Sequence, residues 1–125
     1  MITSFLAAAC ERPEPPVGGE ELFVKHCASC HGVSGAGDGP LASELRLPPA
    51  NLRTIAQRRG GFDESFVLST IDGRRAVASH GPREMPVWGD VFESELSERE
   101  VPRPQATAVM RAQLLTDYVR TLQEP

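Results

Sequence analysis

The sequence predicts an all-α fold of three to five helices joined by long loops, on three observations. A carboxy-terminal stretch repeats Ala108, Ala112, Leu115, Val119 and Leu122 at spacings of four, three, four and three, which is one face of a helix. Shorter stretches with helical spacing stop at glycines, and nowhere do apolar and polar residues alternate long enough for a strand. At 125 residues the chain has room for one core, in which any cofactor would form a large share of the interior. Thirteen Lys and Arg against 17 Asp and Glu leave a net charge of −4, which argues against a protein that tracks nucleic-acid phosphates.

The first nine residues carry no charge, and their apolar run is far shorter than the ~20 residues that span a bilayer. They resemble the end of a bacterial export signal: apolar residues, then small ones, then Cys10. On that reading 1–9 are the end of the signal and Cys10 is a lipid anchor that attaches the protein to a membrane. Ordinary cleavage after Ala9, or retention as a structural segment, are the alternatives. Residues 10–19, with Glu11, Arg12, three prolines and Gly18-Gly19, read as a flexible tether, and 20–125 as the folded domain.

From Glu20 to about Cys30, Leu22, Phe23, Val24, Cys27 and Cys30 fall on a helix begun by Gly18-Gly19 and ended by Gly32, with Phe23 and Cys27 on one face. Residues 32–61 are rich in glycine and proline and read as loop, with at most a short helix near Leu52 to Arg58. Asp63 to Ile71 is the next helix, with Phe66, Val67, Thr70 and Ile71 sharing a face and Gly73 ending it. Residues 76–89 show no sustained period and read as a loop carrying His80, Met85 and Trp88. The acidic run 93–100, followed by Pro102 and Pro104, reads as a surface insertion over 93–104. The carboxy-terminal helix then needs an apolar partner for its stripe.

The chemistry lies in Cys27-Ala28-Ser29-Cys30-His31, which matches the attachment pattern for a c-type haem. On one helical turn positions i, i+3 and i+4 lie together, so two thiols can add to the two vinyl groups while the imidazole points at the iron. With three Cys and three His in the chain, chance placement of this pattern is about 0.002. A thioredoxin-like thiol pair lacks its β-rich surroundings, and neither His26 nor His80 supplies a second ligand pair for zinc. His26, directly before Cys27, reads as exposed. For the iron's other face the candidates are Met85, Met110, His80 or no protein ligand. Met85 is favoured, since Pro86 beside it has a fixed φ that can hold the thioether, whereas Met110 stands off the apolar stripe of its helix.

These residues resemble class I monohaem cytochromes c of the bacterial periplasm. The likeness covers about residues 19–92 and 105–123 and rests on Glu21-Leu22-Phe23, Cys27 to Gly32, Gly37-Asp38-Gly39-Pro40, Pro49-Ala50-Asn51-Leu52, Met85-Pro86-Val87-Trp88-Gly89 and Tyr118-Val119-Arg120. It implies a cytochrome c fold in which the first and last helices cross, Phe23 meets the region of Tyr118, and one covalently bound haem c is held between His31 and Met85. It also implies a proline carbonyl that orients the axial histidine, with Pro40 the match by position. Asn51, Arg53 and Trp88, in loops flanking the ligand loops, are expected to bond or cover the haem propionates.

With both axial positions filled there is no place for substrate, so the implied function is a one-electron carrier rather than an enzyme. It would have protein donors and acceptors and act in the periplasm or from a membrane. The alternative is a haem sensor or haem enzyme with an exchangeable sixth ligand. Charge is uneven: residues 41–83 hold seven basic and four acidic side chains, and 84–100 hold one and six, a dipole able to steer partners.

Overall fold

In the computed structural model, which describes residues 17–74 and 84–125, the chain forms six α-helices and no strand among those residues. Cys10 and most of the expected tether lie outside the described residues. Helix α1 spans Gly19–His26, with Glu20 and Glu21 in its first turn and Lys25 and His26 in its last, charges that oppose the helix dipole at each end. The single helix expected over 20–30 is broken at Cys27, whose φ of −115° departs from the regular helical value, and a short α2 continues as Ala28–His31. The loop expected beyond it contains two 3-10 turns, 42–44 and 52–54, and a short α3, Ile55–Arg59, close to the helix anticipated near Leu52 to Arg58.

Helix α4 spans Glu64–Asp72 and is capped as its sequence suggests: the Asp63 carboxylate accepts from the Phe66 amide at 3.0 Å. Its buried residues are Val67 and Ile71, while Phe66 remains 42% exposed with the Arg59 guanidinium 3.8 Å above its ring. Helix α6, Pro104–Thr121, opens with proline in its first turn and buries Ala108, Ala112, Leu115, Thr116 and Val119. The one polar member of that stripe, Thr116, donates its hydroxyl to the Ala112 carbonyl at 2.9 Å.

Helices α1 and α6 cross closely. A Cβ on Gly19 would stand 2.3 Å from the Leu114 carbonyl oxygen, so only glycine lets the two backbones approach. Phe23 meets Tyr118 at the crossing, with ring centroids 5.2 Å apart, as the resemblance implied.

The acidic segment corrects the sequence reading. Helix α5 runs Trp88–Glu98, so half of the expected 93–104 insertion is helix, and Trp88 is its first residue rather than part of a loop. Trp88, Phe92 and Leu96 recur every four residues; Phe92 and Leu96 are 0% and 2% exposed and join the core with α1 and α6. The acidic side chains occupy the outer flanks, where Glu93 pairs with Arg74 at 3.1 Å and Glu95 with Arg111 at 3.2 Å. A charge run concealed an amphipathic helix because its apolar face needs only two buried residues over three turns.

Candidate functional site

Helix α2 brings Cys27, Cys30 and His31 onto one turn, with both thiols half-buried and unlinked. Burial, and then the neighbouring Cys30, push the Cys27 thiol up to about 12. Unattached, it is a protonated thiol, the opposite of the acidic thiolate a redox-active pair requires. Two loops fasten this turn from behind. The amides of Gly39 and Leu41 donate to the carbonyls of Cys30 and Ser29 at 3.0 and 2.9 Å, and a Cβ on Gly39 would lie 2.4 Å from the Ser29 oxygen.

That packing corrects the role expected of Pro40. The segment 39–41 is spent on the carbonyls of α2, and Pro40 itself is exposed. The chain returns to the histidine later: Nδ1 of His31 lies 3.0 Å from the Ala50 carbonyl, in a stretch fixed by the Leu52 amide bonding to Gly35 at 2.7 Å. A carbonyl can only accept, so Nδ1 carries the proton and Nε2 keeps its lone pair for a metal.

His31 borders a cavity of about 460 Å³ enclosed by residues of α1, α2, α3, α4 and α6. Its walls are largely apolar, among them Phe23, Leu52, Val67, Ile71, Leu115 and Val119. Met85, half-buried, lines the same space, so the structure brings the candidate thioether and the imidazole to one cavity. The other two candidates do not join it. Met110 is 63% exposed on the outer side of α6, and His80 lies outside the described residues.

The residues expected at haem propionates are engaged elsewhere. The Asn51 side chain accepts from the Arg53 amide at 3.0 Å, capping the 52–54 turn, and the Arg53 guanidinium pairs with Glu124. Trp88 stacks on Phe92 at 5.7 Å and meets His26 edge-on at 5.3 Å, in the seam between α1 and α5. None of the three lines the cavity.

Arg58 and Arg59 do line it. Arg58 is steadied by the Asn51 carbonyl at 2.9 Å and Arg59 by Asp63 at 3.0 Å. The signal available in the sequence is a basic pair closing the one short helix expected in the long loop, which the proximity of Arg53 to Asn51 obscures. His26 is corrected as well. Its Nε2 is buried without a hydrogen-bond partner, its ring is packed edge-on between Trp88 and Phe92, and burial, then the Lys25 charge, lower its pKa.

Two thiols and an imidazole on one turn, a thioether in the same apolar cavity and two guanidinium groups at its wall form a donor set that fits a covalently held haem with acidic side groups. Comparison with known proteins agrees. The sequence profile of the family described as "Cytochrome C oxidase, cbb3-type, subunit III" matches residues 15–102. The chain is 32% identical over 104 residues to the "Cbb3-type cytochrome c oxidase subunit FixP" of Azorhizobium caulinodans, covering 83% of this chain and 26% of that protein. It is 30% identical over 129 residues to the "Dihydro-heme d1 dehydrogenase" of Pseudomonas aeruginosa, covering 94% of this chain and 24% of the relative. The chain thus spans about a quarter of the length of these curated relatives. No solved structure gives a significant match.

Proposed function

The chain belongs to the c-type cytochrome family described as cytochrome c oxidase, cbb3-type, subunit III, and on that premise we propose that it is a one-electron carrier with His31 and Met85 as axial ligands. Covalent haem c and haem-based electron transfer come with the family; the ligand pair and the setting are our reading. Bound, the haem supplies a one-electron couple at its iron. Cys27 and Cys30 anchor it, His31 presents Nε2, and the Ala50 carbonyl keeps the imidazole in the required tautomer. Met85 offers a neutral thioether, which favours the reduced state over a second imidazole. Arg58 and Arg59, at the cavity wall, would pair with the acid groups, and the apolar lining would limit water around the iron.

The observation that carries this reading is that His31, already held by its far nitrogen, shares one apolar cavity with Met85. With His31 and Met85 both bound to the iron, the site would leave no position for substrate, and the chain would transfer electrons between protein partners rather than act as an enzyme itself. The likeness to the Azorhizobium oxidase subunit supports a place within a larger redox assembly. Export, with Cys10 as membrane anchor and the domain in the periplasm, rests on the amino-terminal sequence; no described helix is long and apolar enough to cross a membrane.

The test is an optical spectrum of the haem-loaded protein, oxidised and then reduced, with and without carbon monoxide. A weak band at the red end of the oxidised spectrum, lost in Met85→Ala, and a reduced form indifferent to carbon monoxide are expected. A wild-type reduced form that binds carbon monoxide as readily as Met85→Ala would overturn the ligand assignment and favour a sensor or an enzyme with an exchangeable site.

A further inference from the structure

The residue before Met85 makes polar contacts with a distant part of the chain. Both oxygens of the Glu84 carboxylate accept from main-chain amides, Oε1 from Arg46 at 2.9 Å and Oε2 from Leu47 at 3.1 Å. The Arg46 guanidinium also lies 3.6 Å from Oε1, but its side chain is 73% exposed, so the ion pair adds little to the bonds from the backbone. Arg46 and Leu47 sit in a bend with no helix or strand of its own to take these amides.

The next three residues of the chain give the contact its meaning. Pro48 and Pro49, each with φ fixed by its ring, separate Leu47 from Ala50, the residue whose carbonyl holds His31. One stiff segment therefore links the carbonyl that holds His31 to the residue beside Met85. At one end its Ala50 carbonyl accepts a hydrogen bond from the His31 imidazole, and at the other its amides are gripped by the neighbour of Met85.

We infer that Glu84 is a positioning residue that holds Met85 across the cavity from His31, by clamping the Arg46 and Leu47 amides four and three residues before the Ala50 carbonyl. This rests on the proposed His31/Met85 ligand pair and adds what keeps the thioether in place. Without the clamp the methionine loop is tied to the His31 side of the domain by fewer bonds, and the sixth position spends more time open. A ligand that binds only the open state then gains apparent affinity in proportion to that fraction.

The test uses the haem-loaded full chain, with carbon monoxide as the probe. Glu84→Gln replaces one acceptor oxygen by an NH2 group that faces an amide N–H, so one bond is lost and two donors meet. Arg46→Ala keeps both amides and removes only the exposed guanidinium. Expected are a weaker red-end band and an apparent carbon monoxide affinity raised several-fold to about tenfold in Glu84→Gln, with Arg46→Ala unchanged. A wild-type protein that shows the band, beside a Glu84→Gln variant with unaltered band and affinity, would overturn the clamp while leaving the ligand pair intact, even if the variant unfolds at lower urea. An Arg46→Ala variant as perturbed as Glu84→Gln would overturn it too, in favour of the ion pair. A wild-type protein without the band that binds carbon monoxide as readily as Met85→Ala would overturn the ligand pair, and the clamp with it.

Discussion

Leu96 lies within a run of eight residues of which five are charged, yet only 2% of it is exposed. Truncating it to alanine removes three buried carbons, worth about 2.4 kcal/mol at about 0.8 kcal/mol each. Leu96 belongs to a core cluster whose members Phe92 and Leu115 are themselves fully buried, so a cavity term is added. The expected destabilisation of Leu96→Ala is therefore about 3 kcal/mol, within the ~2–5 kcal/mol typical of such core truncations. For a surface insertion the same change would stay within ~0.5 kcal/mol. Urea unfolding of the haem-loaded protein, followed by far-ultraviolet circular dichroism, separates the two. With a slope of roughly 1.5 kcal/mol per molar urea the midpoint should fall by about 2 M. Ser97→Ala, which loses only an exposed bond to the Glu93 carbonyl, is the control and should hardly move. A Leu96 variant that unfolds within ~0.3 M of wild type would refute the placement of α5 in the core.

Two further predictions concern charge. Arg58→Gln should lower the midpoint potential by roughly tens of millivolts, because a cation at the wall of the haem cavity stabilises the electron-rich reduced state. Arg53→Ala, whose guanidinium is committed to Glu124, should leave the potential alone; protein-film voltammetry showing the reverse pattern would return the propionate role to Arg53. His26 has its folded pKa lowered, chiefly by burial, so between that value and its unfolded value near 6.5 the unfolded chain binds more protons. Its contribution is fully present above about pH 6.5 and is lost as pH falls below it. Asp63, Glu64, Glu84 and Glu95 are also lowered, but carboxylates act on stability only as pH approaches about 4, so the window from about pH 6.5 to 5 reports on imidazole rather than carboxylate, and a His26 variant picks out this one. Urea midpoints across that window should slope in wild type and flatten in His26→Phe; equal slopes would show that the imidazole is not the titrating group.

The contrast between Leu96 and the α6 stripe shows why some elements were legible and others were not. Four apolar positions in an 18-residue helix, Ala108, Ala112, Leu115 and Val119, give a period that survives any tertiary context. Helix α5 spends eleven residues on two buried core side chains, and its polar face pairs with residues as distant as Arg74 and Arg111, so nothing local announces it. The single helix expected over 20–30 failed for a similar reason. Periodicity sees side chains, whereas the break at Cys27 is a backbone choice that lets α2 turn toward the cavity.

The meeting of Phe23 with Tyr118 came from the family resemblance, and the ring centroids do lie 5.2 Å apart. By itself the sequence determined the all-α class and the attachment turn Cys27, Cys30 and His31, carried by helical spacing within short stretches and by a motif whose chemistry fits one turn. It also singled out Met85, through the proline beside it. Which carbonyl orients His31, which arginines face the cavity, and what grips the methionine loop were decided only by the tertiary structure. Ala50 lies 19 residues from His31, and Leu47 lies 37 from Glu84. Contacts over such separations depend on how loops return across the core, and loop paths leave no period in a sequence.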